Sequence, residues 1–129
     1  QNLQTIPNMP ETREFNQMIR NLRGDIDDQA RLTVRRYRRQ AAADARKTLT
    51  RMKKDLRRWT NLLEKDLLTT EDFEFLVNSQ QDSMKMTTLK QSGLALVRMD
   101  QFKYSFFNLI IDTIFDVILG PKGKLSADD

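Results

Sequence analysis

The chain has 129 residues, enough for one domain with a hydrophobic core and too few for two of ordinary size. Apolar residues make up 39% and charged residues 31%, with four Gly and three Pro. That balance suits helices rather than a turn-rich sheet, and sets the fold class as all-α, a bundle of about four helices. Cys and His are both absent, which excludes disulfides, thiolate or imidazole metal sites, and the Ser-His and Cys-His nucleophile pairs. The expectation is a protein without catalytic residues, metal or cofactor.

Gln1 is not a start methionine, so the terminus is expected to be a processed one, the alternative being a trimmed one. Residues 1–10 carry Pro7 and Pro10 and no period, predicting an extended arm up to a helix start near Glu11. From Glu11 to Arg23, Phe15, Met18, Ile19 and Leu22 recur on one helical face. Gly24 offers a break or a kink, and Asp25, Asp27 and Asp28 suit the positive end of a stretch running through Val34, Tyr37 and Ala41.

Ala45, Leu49, Met52, Leu56, Trp59 and Leu63 alternate spacings of four and three, the pattern of a helix-packing seam. It predicts a helix from about Asp44 to Leu68, with the stretch around 41–44 either continuous or broken and Asp44 either an N-cap or solvated. Thr69 and Thr70 followed by Glu71, Asp72 and Glu74 read as a helix stop and a capped start, and Phe73, Leu76 and Val77 begin a third helix. Gly93 either divides the third helix from the fourth or sits inside one long helix. Beyond it Arg98, Gln101, Ser105, Asn108, Asp112 and Asp116 form one narrow polar stripe, predicting the most buried helix, ended by Gly120-Pro121. Residues 121–129 are a polar tail. The most apolar stretch, Phe106 to Leu119, carries Asn108, Asp112, Thr113 and Asp116 and falls short of the ~20 residues of a membrane span.

Between Arg31 and Arg58 lie twelve Lys or Arg against only Asp44 and Asp55, so this stretch carries +10 and the rest of the +4 chain carries −6. Charge segregated in this way steers a protein toward an acidic partner. The candidate binding residues are Arg35, Arg36, Arg38, Arg39, Arg46, Lys47, Lys53, Lys54, Arg57 and Arg58; the plainer alternative is a solvated helical face. Nucleic acid is disfavoured, because base stacking needs aromatic platforms and only Tyr37 and Trp59 lie nearby, Trp59 on the apolar seam. Asp112 and Asp116, one turn apart, are too few to chelate a hard cation, and the six Met residues read as core filler.

Arg46-Lys47, Asp55-Leu56-Arg57, Leu63, Asp66-Leu67 and Thr69, taken in order over about 24 residues, resemble the second-helix pattern of the PsbQ family, the extrinsic subunits of photosystem II. Thr48, Leu49 and Thr50 stand where the plant proteins carry a Trp-Pro, and the proline-bearing leader is shorter, a departure that a red-lineage PsbQ′ type accommodates. The resemblance implies a four-helix up-down bundle in the thylakoid lumen. It implies docking on the photosystem II core beside other extrinsic subunits, peripheral to the membrane, to help retain calcium and chloride. It also implies a helix boundary around Ala42 to Asp44. The competing functions are a nucleic-acid-binding helical protein and a regulatory interaction module.

Overall fold

The computed structural model describes residues 5–120, with side chains from residue 14 onward. Every regular element among them is helical: α1 (Thr5–Val34), a 3-10 turn (Arg35–Tyr37), α2 (Arg38–Glu64), α3 (Thr70–Asn78), a second 3-10 turn (Gln81–Ser83), α4 (Thr87–Gln91) and α5 (Leu96–Ile118). Three long helices, α1, α2 and α5, pack pairwise around one core, and the chain between α2 and α5 contributes only short pieces. No described helix is long and apolar enough to cross a membrane.

Of the extended arm expected over residues 1–10, positions 5–10 are helix, since α1 begins at Thr5, and positions 1–4 lie outside the described residues. The first N–H groups of a helix have no partner within it, so Pro7 forfeits nothing, and Pro10 forfeits one bond to the carbonyl of Ile6. Gly24 neither breaks nor divides the helix. A mid-helix Gly costs about 1 kcal/mol relative to Ala, and Leu22 and Ile26, both fully buried on either side of it, outweigh that. The expected polar tail at 121–129 lies outside the described residues.

The chain reverses at Arg35–Tyr37, not at Ala42 to Asp44 as the family resemblance implies. Ala41, Ala42, Asp44 and Ala45 are buried inside α2. Small side chains there let the helix approach its neighbours closely, which a chain end would not require. The two helices then run antiparallel. Arg46 meets Asp27, Arg23 reaches Thr50, and Arg57 lies over Phe15, so the α2 partner advances as the α1 position recedes.

The predicted seam is buried as expected: Ala45, Leu49 and Leu56 are fully covered, and Met52, Trp59 and Leu63 nearly so. It packs against α1 and α5 together. Helix α2 stops at Glu64 rather than Leu68. Asp66 takes the left-handed φ of 60°, its N–H donates to the Leu63 carbonyl at 3.1 Å, and the Leu67 N–H donates to Leu62 at 2.8 Å. This closes the helix with paired bonds that an Asp tolerates. Thr69 caps α3 as anticipated, its hydroxyl accepting from the Asp72 N–H at 3.0 Å, with Glu71 and Asp72 in the first turn. Gly93, at φ 87°, separates the short α4 from α5, and Gly120, at φ 71°, follows the last turn of α5.

Helix α5 is not the most buried element. Its buried set is Met99, Phe102, Phe106, Phe107, Ile110, Ile111 and Ile114, fewer than the eleven buried residues of α2. Leu96, Val97, Tyr104 and Val117 remain between 48% and 66% exposed. The apolar arc of α5 is wider than α1 and α2 can cover, and the short third limb leaves the remainder open.

That third limb is fixed by Asp44. The side chain is 2% exposed, and its two oxygens accept from the backbone N–H groups of Thr88 at 3.2 Å and Leu89 at 2.8 Å. Asp44 therefore caps α4, a helix more than forty residues away, rather than the start of its own. No Lys or Arg pairs with it among the described residues, so the two N–H groups and the end of α4 compensate the buried charge. Asp44→Ala is expected to destabilise the fold by about 1 to 3 kcal/mol in urea unfolding and to speed amide exchange at Thr88 and Leu89. Unchanged exchange at those two amides would contradict the cap.

Candidate functional site

The reversal at Arg35–Tyr37 brings arginines from two helices to one end of the molecule. Arg31 comes from the last turn of α1, Arg35 and Arg36 from the 3-10 turn, and Arg38 and Arg39 from the first turn of α2. Arg31, Arg38, Arg39 and Arg46 share a depression of about 300 Å³ with Asp27 and Ala42. Arg31, Leu32, Arg35, Arg36 and Arg38 line an adjoining one of about 440 Å³.

The carboxylates near this end are already engaged. Asp27 accepts from Arg46 at 2.6 Å and Asp28 from Arg31 at 3.5 Å. Arg36 stacks over the Tyr37 ring at 5.5 Å. Arg35, Arg36, Arg38 and Arg39 are all exposed, and none has a carboxylate partner among the described residues. Arg35 also holds a left-handed φ of 46°, a conformation that costs a non-glycine residue about 1 kcal/mol or more.

The ten residues singled out in the sequence therefore do not form one patch. Arg35, Arg36, Arg38 and Arg39 gather at the turn, joined by Arg31, which the sequence reading left out. Arg46, Lys53 and Arg57 are half-buried along the edge of α2 beside α1, where Arg57 lies 5.6 Å from the Phe15 ring. Lys47, Lys54 and Arg58 are exposed on the outer side, and Arg58 meets Asp55 at 3.3 Å. Both rows run down α2 away from the turn, Arg58 standing about 28 Å from Arg39 at 1.5 Å per residue.

Trp59 is 6% exposed and belongs to the core, as its place on the seam required. Met18, Met52, Met84, Met86 and Met99 are also core residues. Asp112 and Asp116 are both exposed, and no group of three His, Cys, Asp or Glu residues able to hold a metal ion occurs among the described residues. A cavity of about 470 Å³ lies between α4 and α5; its walls include Met84, Met86, Met99 and Leu96, flanked by Lys85, Lys90, Lys103, Asp82 and Asp100. Leu32, 78% exposed beside the arginines, was also missed. Its signal was present, since it falls off the face that Ile26, Ala30 and Val34 present to the core.

Arg46 and Lys47 adjoin in sequence and do different work. Arg46 ties α2 to α1 through Asp27, with side chains 40% and 49% exposed, so solvent limits the pair to about 1 kcal/mol. Arg46→Glu sets like charges against each other and is expected to lower the unfolding midpoint, whereas Lys47→Glu leaves it in place. Equal effects of the two substitutions would show that the Asp27 contact carries no stability. No family model, curated protein or solved structure matches this chain.

Proposed function

We propose that this chain is a non-catalytic helical subunit that docks through its arginine-rich turn on an acidic surface of a membrane-bound assembly. The observation that carries the reading is the set of four exposed guanidiniums, Arg35, Arg36, Arg38 and Arg39, without carboxylate partners among the described residues. Four like charges within five residues repel one another and oppose folding. Opposite charge on a partner relieves the repulsion and speeds encounter.

In its finer form the reading is an extrinsic subunit of photosystem II, on the lumenal face, helping to retain the calcium and chloride of the oxygen-evolving centre. The Arg46-Lys47 to Thr69 pattern supports that form. The turn at Arg35–Tyr37 weighs against it, because it leaves Arg46 about two turns inside α2 instead of near its start. The corresponding architecture is an up-down bundle whose third limb is broken into α3 and α4. Asp44 at α4, Phe73 against Phe115 and Arg98 at the Thr33 carbonyl support that order.

The test is rebinding to salt-washed photosystem II membranes. Wild type is expected to bind at low ionic strength and to leave near 1 M salt, where the Debye length falls to about 3 Å. The triple variant Arg36→Glu, Arg38→Glu, Arg39→Glu should lose about tenfold or more in affinity, with its helix content unchanged. Rebinding that withstands both treatments overturns the docking reading. Displacement by RNA at physiological salt moves the arginines to a nucleic-acid role.

A further inference from the structure

We propose that the α1–α2 turn is a lipid contact: Leu32 enters the headgroup layer of an anionic bilayer while Arg35, Arg36 and Arg38 bind lipid phosphates around it. The inference rests on the docking reading and names the acidic surface that the turn meets.

Leu32 is the starting point. At 78% exposure it is the most exposed large apolar side chain among the described residues, more open than Phe75 at 72% or Leu67 at 69%. It shares its depression with four arginines and no other apolar side chain. An exposed leucine among guanidiniums is placed neither for the core nor for solubility. A protein partner would need a recess matched to this one side chain, in register with carboxylates around it. A bilayer accepts an apolar projection at any rotation of the hairpin and offers phosphates on every side.

The residue types agree with phosphate. Every cation from Arg31 to Arg39 is arginine, and the first lysine of α2 is Lys47. A guanidinium grips a phosphate through two parallel N–H donors and sheds water more readily than an ammonium. Its aliphatic stem rests against apolar surface while its head stays at the interface.

Position along the hairpin agrees as well. Asp27 and Asp28 lie about two turns before the reversal and are held by Arg46 and Arg31, so no acidic side chain belongs to the 3-10 turn itself. Arg35, whose left-handed backbone makes the reversal, keeps its side chain exposed there while Val34 before it is buried. Each basic residue near an anionic surface adds about fivefold to partitioning.

Flotation of the purified chain with vesicles tests this. It is expected to bind vesicles of phosphatidylcholine mixed with phosphatidylglycerol and to ignore phosphatidylcholine alone. The paired variant Arg36→Glu, Arg38→Glu should abolish binding, and Leu32→Asp should weaken it about tenfold. All three side chains are exposed, so circular dichroism and melting should not change. The Leu32→Trp variant should shift its emission to the blue on mixed vesicles only, above a constant background from buried Trp59. Equal binding to both vesicle types overturns the proposal, as does binding with no blue shift in the Leu32→Trp variant and no loss in Leu32→Asp. If vesicles fail while rebinding to native membranes keeps its dependence on Arg36, Arg38 and Arg39, the lipid assignment falls and the docking reading stands. If both fail, both fall.

Discussion

A reversal of the chain within three residues, Arg35–Tyr37, is the constraint on which the rest of the structure depends. It lays α2 back along α1 so that Phe15, Met18, Ile19, Leu22, Ile26, Ala30 and Val34 on one helix face the α2 seam on the other. Burial of those two stripes drives the reversal, since each fully covered Leu or Ile contributes about 1.5 to 3 kcal/mol. The electrostatic result is a by-product of the packing. Arginines spread over nine positions of sequence are drawn to one end of a rod, and the field at that end exceeds what either helix would produce alone.

The core and the candidate site are physically separate. The core lies along the hairpin and is closed on its third side by α5 and by short pieces held through Asp44, whose carboxylate is buried and fully used by backbone N–H groups. The arginines of the turn take no part in it. Arg46 alone has a foot in both, as a neighbour of the turn and as the tie to Asp27. Substitutions at the turn therefore read out binding, and substitutions at Asp44 or along the seam read out folding.

The seam, the Thr69 cap and the helix end at Gly120 were legible in the sequence because each is local: a spacing, a hydroxyl three residues from its donor, a glycine followed by proline. Gly93 suited either a divider or a mid-helix position, and its φ of 87° decides for the divider. The reversal at Arg35 was not legible, because no Gly, Pro or Asn marks it and the left-handed residue is an arginine. The alanines 41–43 suited either a continuous helix or a break. Burial of Ala41 and Ala42 against neighbours decided it, and that is a tertiary fact. The cap at Asp44 was hidden for the same reason, since its donors at Thr88 and Leu89 are unrelated to it by any local pattern. Charge segregation announced a basic surface, but its division into a turn cluster and two rows on α2 needed the reversal to be located. Leu32 was readable as an apolar residue out of phase with its helix, and only its arginine neighbours give it meaning.

The central claim is that the arginines of the turn serve binding and not folding. Thermal unfolding of a variant with Arg35, Arg36, Arg38 and Arg39 all changed to Gln, followed across a range of salt, tests it most directly. Relief of like-charge crowding predicts a midpoint equal to or above wild type at low salt, with the difference shrinking as salt screens the native cluster. A midpoint lower by about 4 °C or more at every salt concentration would contradict the claim, because the four side chains would then be holding the fold together.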